Sequence, residues 1–140
     1  MTWYLAAFLS AVFAALTTIL AKIGIQNINS NLGTAIRTSV ILLFTWGIVF
    51  FQGGASALTH LKPSTWLFLV LSGIATGLSW LFYFRALQLG EASKVVPIDK
   101  LSLVLTIILA GIFLKEKITL QILFGSVLMT AGAIIIAFGK

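Results

Sequence analysis

The chain has 140 residues, of which 60% are hydrophobic and 9% charged, and it carries no cysteine and a formal net charge of +6. So few charged residues cannot cover the surface of a soluble domain of this size, which predicts an integral membrane protein. The lack of cysteine excludes disulfides and thiolate metal sites. The cations are dispersed at the ends of apolar segments, so the positive charge does not indicate nucleic-acid binding.

Four uncharged runs are each long enough to cross about 30 Å of hydrocarbon as a helix. They are Met1–Ala21, Thr38–Thr59, Pro63–Phe84 and Ile118–Gly139. None shows the alternation of a membrane β-strand, so helices are predicted. A fifth run, Leu101–Leu114, is too short to span at about 1.5 Å per residue, and its helix must extend back through Lys100 and Asp99 to near Ser93. We therefore predict an all-α membrane protein whose single domain, residues 1–140, is a bundle of five transmembrane helices.

The segments between these runs are short. The first run has no positive charge before Lys22, so we interpret it as a retained helix and not as a signal peptide. Thr65 and Thr119 are candidate N-caps for the helices that follow them. The connections run roughly over Ile23–Ser30, Gly53–Lys62, Gln88–Ala92 and Lys115–Lys117, so sequential helices are predicted to be antiparallel neighbours.

The distribution of cations gives little orientation bias. Six cations fall on one side of the predicted membrane and three on the other, which alone would place the carboxyl terminus in the cytoplasm. Without Arg37, Arg85 and Lys100, which lie at or inside helix ends, the two sides carry three each. A chain with so weak a bias can insert both ways up, and two opposed copies would form an inverted repeat.

Asp99 is predicted to lie roughly 8 Å inside the apolar slab, where a charge costs on the order of 3 kcal/mol. In the hairpin about Ala92, Arg85 and Asp99 are equally far from the turn, so they would lie level and could pair. Two roles are open for Asp99: a structural ion pair with Arg85, or substrate binding and proton coupling.

The same construction about Asn29 places Lys22 level with Arg37. With Arg85 and Lys100, these two residues would form a cationic cavity that favours an anion or a zwitterion. Alternatively, the side chains of Lys22, Arg37 and Lys100 only extend to lipid headgroups.

Other predicted site residues are Ser102 and Thr106, on the same helix face as Asp99, and the aromatic Trp80, Tyr83 and Trp46, which could line a pocket or only pack within the bundle. Pro97 could kink its helix, and Gly125 and Gly132 are candidate dimer contacts. No metal, cofactor or catalytic motif is present, so no enzyme is predicted.

Several stretches together resemble the EamA domain of the drug/metabolite transporter superfamily. They are Tyr83-Phe84-Arg85-Ala86-Leu87, Gly90-Glu91-Ala92-Ser93, Val95-Val96-Pro97-Ile98 and Leu114-Lys115-Glu116-Lys117-Ile118-Thr119, with Gln121, Gly125 and Gly132. The resemblance implies that Pro97 and Glu116 match a proline and an acidic residue of the family pattern, whereas Asp99-Lys100 is outside it. It also implies export or exchange of small metabolites, with single five-helix units acting as antiparallel homodimers of ten helices.

The predicted function is therefore small-metabolite transport, of an amino-acid-like or anionic substrate, in a bacterial or archaeal cytoplasmic membrane. The partners are the substrate, membrane lipid and a second copy. Two alternatives remain. A small cationic-drug exporter would carry a carboxylate in its first helix, which is uncharged here from Met1 to Ala21. A non-transporting membrane subunit would need no water-accessible charge at Asp99.

Overall fold

The computed structural model describes residues 2–139, and every regular element in that range is helical. The elements are α1 (Trp3–Gly24), α2 (Ser30–Phe51), α3 (Pro63–Leu89), α4 (Ala92–Asp99), α5 (Ser102–Leu109) and α6 (Leu120–Phe138). A 3₁₀ segment, Gly54–His60, follows α2, and a π-helical turn, Ala110–Leu114, continues α5. Five stretches of this range are long and apolar enough to cross a membrane, the fourth being Ala92–Leu114 as a whole. The predicted helical class with five membrane spans is confirmed.

The helix ends follow local side-chain chemistry. The Asn29 side chain accepts a hydrogen bond from the Asn31 amide at 2.8 Å at the start of α2. The Thr119 hydroxyl accepts one from the Ile122 amide at 3.3 Å, so the predicted cap of α6 is confirmed. The predicted cap at Thr65 is wrong, because α3 already begins at Pro63, whose fixed φ suits a first helical position.

The chain divides into two compact units, Met1–Gln88 and Leu89–Lys140. The core of the first unit lies where the turn after α1 meets the end of α3, and its buried apolar residues are Ile25, Phe84 and Leu87. Gly33 allows this contact, because a Cβ added there would lie 2.9 Å from Ile25 Cγ2. The Thr18 hydroxyl joins α1 to α3 by a 2.8 Å hydrogen bond with the Tyr83 hydroxyl.

In the second unit, α6 packs mainly on α4, and its buried residues are Ser126 and Ala133. The Ser126 hydroxyl donates to the Leu123 carbonyl at 2.8 Å, which satisfies it within the helix. Most apolar side chains of both units are exposed on the single chain. Lipid is as apolar as these side chains, so exposure to it carries no hydrophobic cost.

Candidate functional site

The fourth span is interrupted at the charged pair. The α-helix ends at Asp99, two residues after Pro97, and resumes at Ser102. Here the Leu101 amide donates to the Ile98 carbonyl and the Leu103 amide to the Lys100 carbonyl, both at 3.0 Å. These bonds reach three residues back rather than four, so a tighter 3₁₀-like turn replaces the regular helix.

Asp99 is paired with its neighbour in the chain. Its Oδ2 lies 3.6 Å from Lys100 Nζ, and the two side chains are 37% and 57% exposed. About two turns further on, the Thr106 hydroxyl donates to the Ser102 carbonyl at 2.8 Å, so Thr106 is satisfied within its own helix. The predicted pair of Arg85 with Asp99 would join the two units, and it stays a prediction.

Lys22 interacts with the end of α3. Its Nζ donates to the carbonyl of Leu87, one of the last four residues of that helix, whose carbonyls have no partner within the helix. A cation is also favourable at this negative end of the helix dipole. The side chain lines a small cavity of about 140 Å³ together with Gln26 and Gln88.

Arg37 contacts aromatic rings. Its guanidinium carbon lies 4.1 Å from the centroid of the Trp80 ring and 5.5 Å from that of Phe84. Arg37 also lines a cavity of about 420 Å³ between α1, α2 and α3. The residue follows the first residue of α2 by seven positions, which places it about 10 Å along the helix.

Arg85 lies near the end of α3, where its Nη1 donates to Gln88 Oε1 at 3.4 Å. It lines a third cavity, of about 480 Å³, with Asn29, Asn31 and Phe82 among the other lining residues. Each of these three cavities is lined by one of the cations predicted for the site. That the cations share one substrate space stays a prediction.

The predicted aromatic residues make different contacts. Trp80 lies under Arg37, and Tyr83 is bonded to Thr18. Trp46 packs on Phe50 of its own helix, with 5.7 Å between the ring centroids. Of these three, Trp80 contacts Arg37 through its ring, and Tyr83 lies close enough to Arg37 to interact with it electrostatically.

Gln88 lies in the predicted connection Gln88–Ala92 and was not among the predicted site residues, but it is a contact residue in the structure. Its Nε2 donates to the carbonyls of Ile25 and Ile28, at 2.9 and 2.6 Å, and so holds the turn after α1 against α3. The hairpin geometry that placed Lys22 level with Arg37 could have identified Gln88, because it places the last turn of α3 at the same depth as the turn after α1.

The two glycines predicted for a dimer contact lie on α6. A Cβ added at Gly125 or at Gly132 would meet no atom within 4 Å. Their helix face is therefore open on the single chain, and close approach of another helix would be sterically possible there.

A model of the EamA-like transporter family matches residues 1–138. An uncharacterized transporter encoded in the cobO 3' region of Sinorhizobium sp is 48% identical over 136 residues, covering 97% of this chain and 96% of that protein. The uncharacterized transporter YvbV of Bacillus subtilis is 31% identical over 120 residues, covering 86% of this chain and 39% of YvbV. The uncharacterized protein MJ1333.1 of Methanocaldococcus jannaschii is 28% identical over 132 residues, covering 94% and 93%. No solved structure matches the chain.

Proposed function

The chain belongs to the EamA-like transporter family, and on that premise we propose that it exports or exchanges small metabolites of an amino-acid-like or anionic kind. It is a multi-pass membrane transporter of the drug/metabolite type, with five candidate spans among the described residues. The proposal includes its location in the cytoplasmic membrane of a bacterium or archaeon. The bacterial and archaeal sources of its relatives support that location.

The observation that carries the proposal is the position of Asp99. It is the one acidic residue within the five spans, and it lies where the fourth span is interrupted. A charge at such a depth is costly, and irregular backbone within a membrane is tolerated where it lines a cavity or is buried in protein. Asp99 with Lys100 is therefore well suited to bind a charged substrate group or to carry a coupling proton.

The cations of the first unit support the substrate class. Lys22, Arg37 and Arg85 all line cavities there, and the unit has no aspartate or glutamate. An anionic group brought by the substrate would be attracted by them. Asp99 would favour an ammonium group, so a zwitterion such as an amino acid could use charges of both signs.

We further propose that two copies assemble as an antiparallel homodimer of ten helices. The match covers 39% of YvbV, so the rest of that protein is long enough to contain a second unit of this size. The open glycines of α6, Gly125 and Gly132, offer a face for close helix contact. The nearly even cation count supports insertion in both orientations.

Transport by purified protein in liposomes tests the role of Asp99. An imposed proton gradient should drive accumulation of at least one substrate in a panel of amino acids and organic anions. Asp99→Asn should abolish that accumulation while sparing some downhill exchange, since the neutral side chain can no longer exchange a proton. Glu116→Gln, which removes an acid outside the spans, is the matched control. Accumulation at the wild-type rate by a folded Asp99→Asn variant would contradict the coupling role, and movement of cationic drugs alone would contradict the substrate class.

Labelling of an introduced cysteine tests the assembly, because the chain has no cysteine of its own. Gln52 follows α2 in an exposed loop, so Gln52→Cys places a single thiol at one membrane surface. A membrane-impermeant thiol reagent should label part of the population from each side of sealed cell vesicles. Complete labelling from one side only would exclude dual insertion, and a monomer in native mass spectrometry would exclude the dimer.

A further inference from the structure

Arg37 brings a positive charge to a mainly apolar cavity. The cavity, of about 420 Å³, is lined by α1, α2, the turn between them and α3, and its apolar wall includes Leu20, Ile25, Ile36 and Phe84. A volume of this size falls within the range of small-molecule sites, which combine apolar walls with a few polar groups that fix orientation. The cavity lies wholly within the first unit.

The first unit cannot neutralise this charge. It contains no aspartate or glutamate, and the ion pairs formed among residues 2–139 are Glu91–Lys94 and Asp99–Lys100, both in the second unit. Arginine does not lose its proton in proteins, so Arg37 stays charged at its depth in α2. An anion from outside the unit would remove the cost of holding that charge in the membrane.

The ring of Trp80 leaves the guanidinium suited to such an anion. The distance of 4.1 Å from the guanidinium carbon to the ring centroid is typical of a cation–π contact, which strengthens when the charge is desolvated. A ring accepts no conventional hydrogen bond, so the five N–H donors of the guanidinium need other partners. Within residues 2–139, Arg37 contacts the rings of Trp80 and Phe84 and lies close enough to Tyr83 to interact with it electrostatically, but its N–H groups make no hydrogen bond. Two parallel N–H groups of arginine match the two oxygens of a carboxylate.

We propose that Arg37, held on Trp80, is the carboxylate-binding group of a substrate site whose apolar wall takes an apolar or aromatic body. The ligand class is a small monocarboxylate with such a body, including amino acids with apolar side chains. That the ligand is a transported metabolite rests on the proposed function. Binding itself can be measured without transport.

Tryptophan fluorescence tests the proposal directly, because Trp80 lies under the group that binds. The chain has four tryptophans, and replacing Trp3, Trp46 and Trp66 by Phe leaves Trp80 as the reporter. The probes are phenylacetate and phenethylamine, which share an aromatic body and carry opposite charges. In neutral detergent, phenylacetate should change the Trp80 emission with a saturable dependence, and phenethylamine should not. Equal responses, or the reverse order, would overturn the proposal.

Thermal stabilisation of the unsubstituted protein by phenylacetate gives a second readout that needs no tryptophan replacement. A rise in melting temperature with phenylacetate and none with phenethylamine supports the proposal. The same rise with both probes contradicts it, because the apolar body alone would then account for binding.

Arg37→Met should weaken phenylacetate binding about tenfold or more, since a bidentate charged contact is lost. Arg37→Lys keeps the charge without the planar fork, so its affinity should lie between those of wild type and Arg37→Met. The matched control is Lys62→Met, which removes a charge from the exposed residue just before α3 and should leave binding unchanged. If Arg37→Met fails to fold, Arg37→Lys decides: wild-type affinity in that variant contradicts the proposed geometry.

Lipid phosphate is also an oxyanion, so the source of the ligand needs its own experiment. Phenylacetate affinity is compared in detergent, in phosphatidylcholine nanodiscs and in nanodiscs that also contain phosphatidylglycerol. Similar affinities in all three support a metabolite carboxylate. If phosphatidylglycerol displaces phenylacetate from the wild type but not from Arg37→Lys, the anion bound by Arg37 is a lipid headgroup instead. If binding persists while the liposomes transport nothing, the proposed function fails and this site remains.

Discussion

The two units of the chain accommodate their charges in opposite ways. The first, Met1–Gln88, has four lysine and arginine residues and no acid, whereas the second, Leu89–Lys140, has five lysines and all three acids. In the second unit the ion pairs join near neighbours: Lys94 lies 3.7 Å from Glu91, and Lys100 lies 3.6 Å from Asp99. In the first, Lys22 binds a backbone carbonyl, Arg37 a ring face and Arg85 an amide.

This difference shows which charges depend on tertiary structure. A pair one or three residues apart along the chain can form wherever its helix forms. The partners of Lys22 and Arg37 belong to another helix, so these contacts exist only when the first unit is packed. Changes in the first unit should therefore affect stability more than matched changes in the second.

Leu87→Ala should have the largest effect. Leu87 is fully buried at the end of α3, so its truncation should lower the free energy of unfolding by about 2–5 kcal/mol. Leu105→Ala in the second unit is the matched control; Leu105 is 63% exposed, and lipid can replace its contacts, so the loss should be much smaller. Unfolding in mixed detergent micelles measures both, and equal losses would contradict the difference between the units.

Lys22→Met should have the second largest effect on the free energy of unfolding. It removes a charged hydrogen bond to the Leu87 carbonyl, and such bonds contribute about 1.5–3 kcal/mol. Lys94→Met breaks the exposed pair with Glu91, for which about 0–1 kcal/mol is expected. The same unfolding measurement ranks them. A larger loss for Lys94→Met would show that the local pairs, and not the tertiary contacts, hold the structure.

Gly33→Ala should have a moderate effect, because the added Cβ would lie 2.9 Å from Ile25 and 3.7 Å from Phe84. Such overpacking costs about 1–3 kcal/mol, and it would also narrow the cavity that Arg37 lines. Gly24→Ala is the control for stability, because a Cβ added at Gly24 would meet nothing within 4 Å. Thermal stability should fall in Gly33→Ala alone, and an unchanged melting temperature in Gly33→Ala would show that the turn after α1 can yield.

Lys115→Gly should have the smallest effect of these substitutions, and it should stabilise the folded protein. Lys115 has φ 55° after the π-helical turn, a left-handed conformation that costs a residue with a Cβ about 1–2 kcal/mol. Glycine removes that strain but loses more entropy on folding, so a net gain of less than about 1 kcal/mol is expected. Lys117→Gly, where φ is not positive, should give no gain. A melting temperature lowered by Lys115→Gly would show that the lysine side chain stabilises this turn.

The features predictable from the sequence are local ones. Runs of apolar residues give five spans because a helix must satisfy its own backbone in lipid. Asn29 and Thr119 lie within a few residues of the amides that they cap, although only Thr119 was identified beforehand. The place of Asp99 and Lys100 in the fourth span also follows from the length that a span requires, since Leu101–Leu114 alone is too short.

Tertiary structure alone decided which partners Lys22 and Arg37 have. Hairpin geometry gave the depths of Lys22 and Arg37, but depth does not specify rotation about a helix axis or the direction of a long side chain. Lys22 therefore bonds to the Leu87 carbonyl, 65 positions away, and Gln88 to the Ile25 carbonyl, 63 positions away. Arg37 lies on Trp80 for the same reason, because the packing of α2 against α3 selects which residues at one depth face each other.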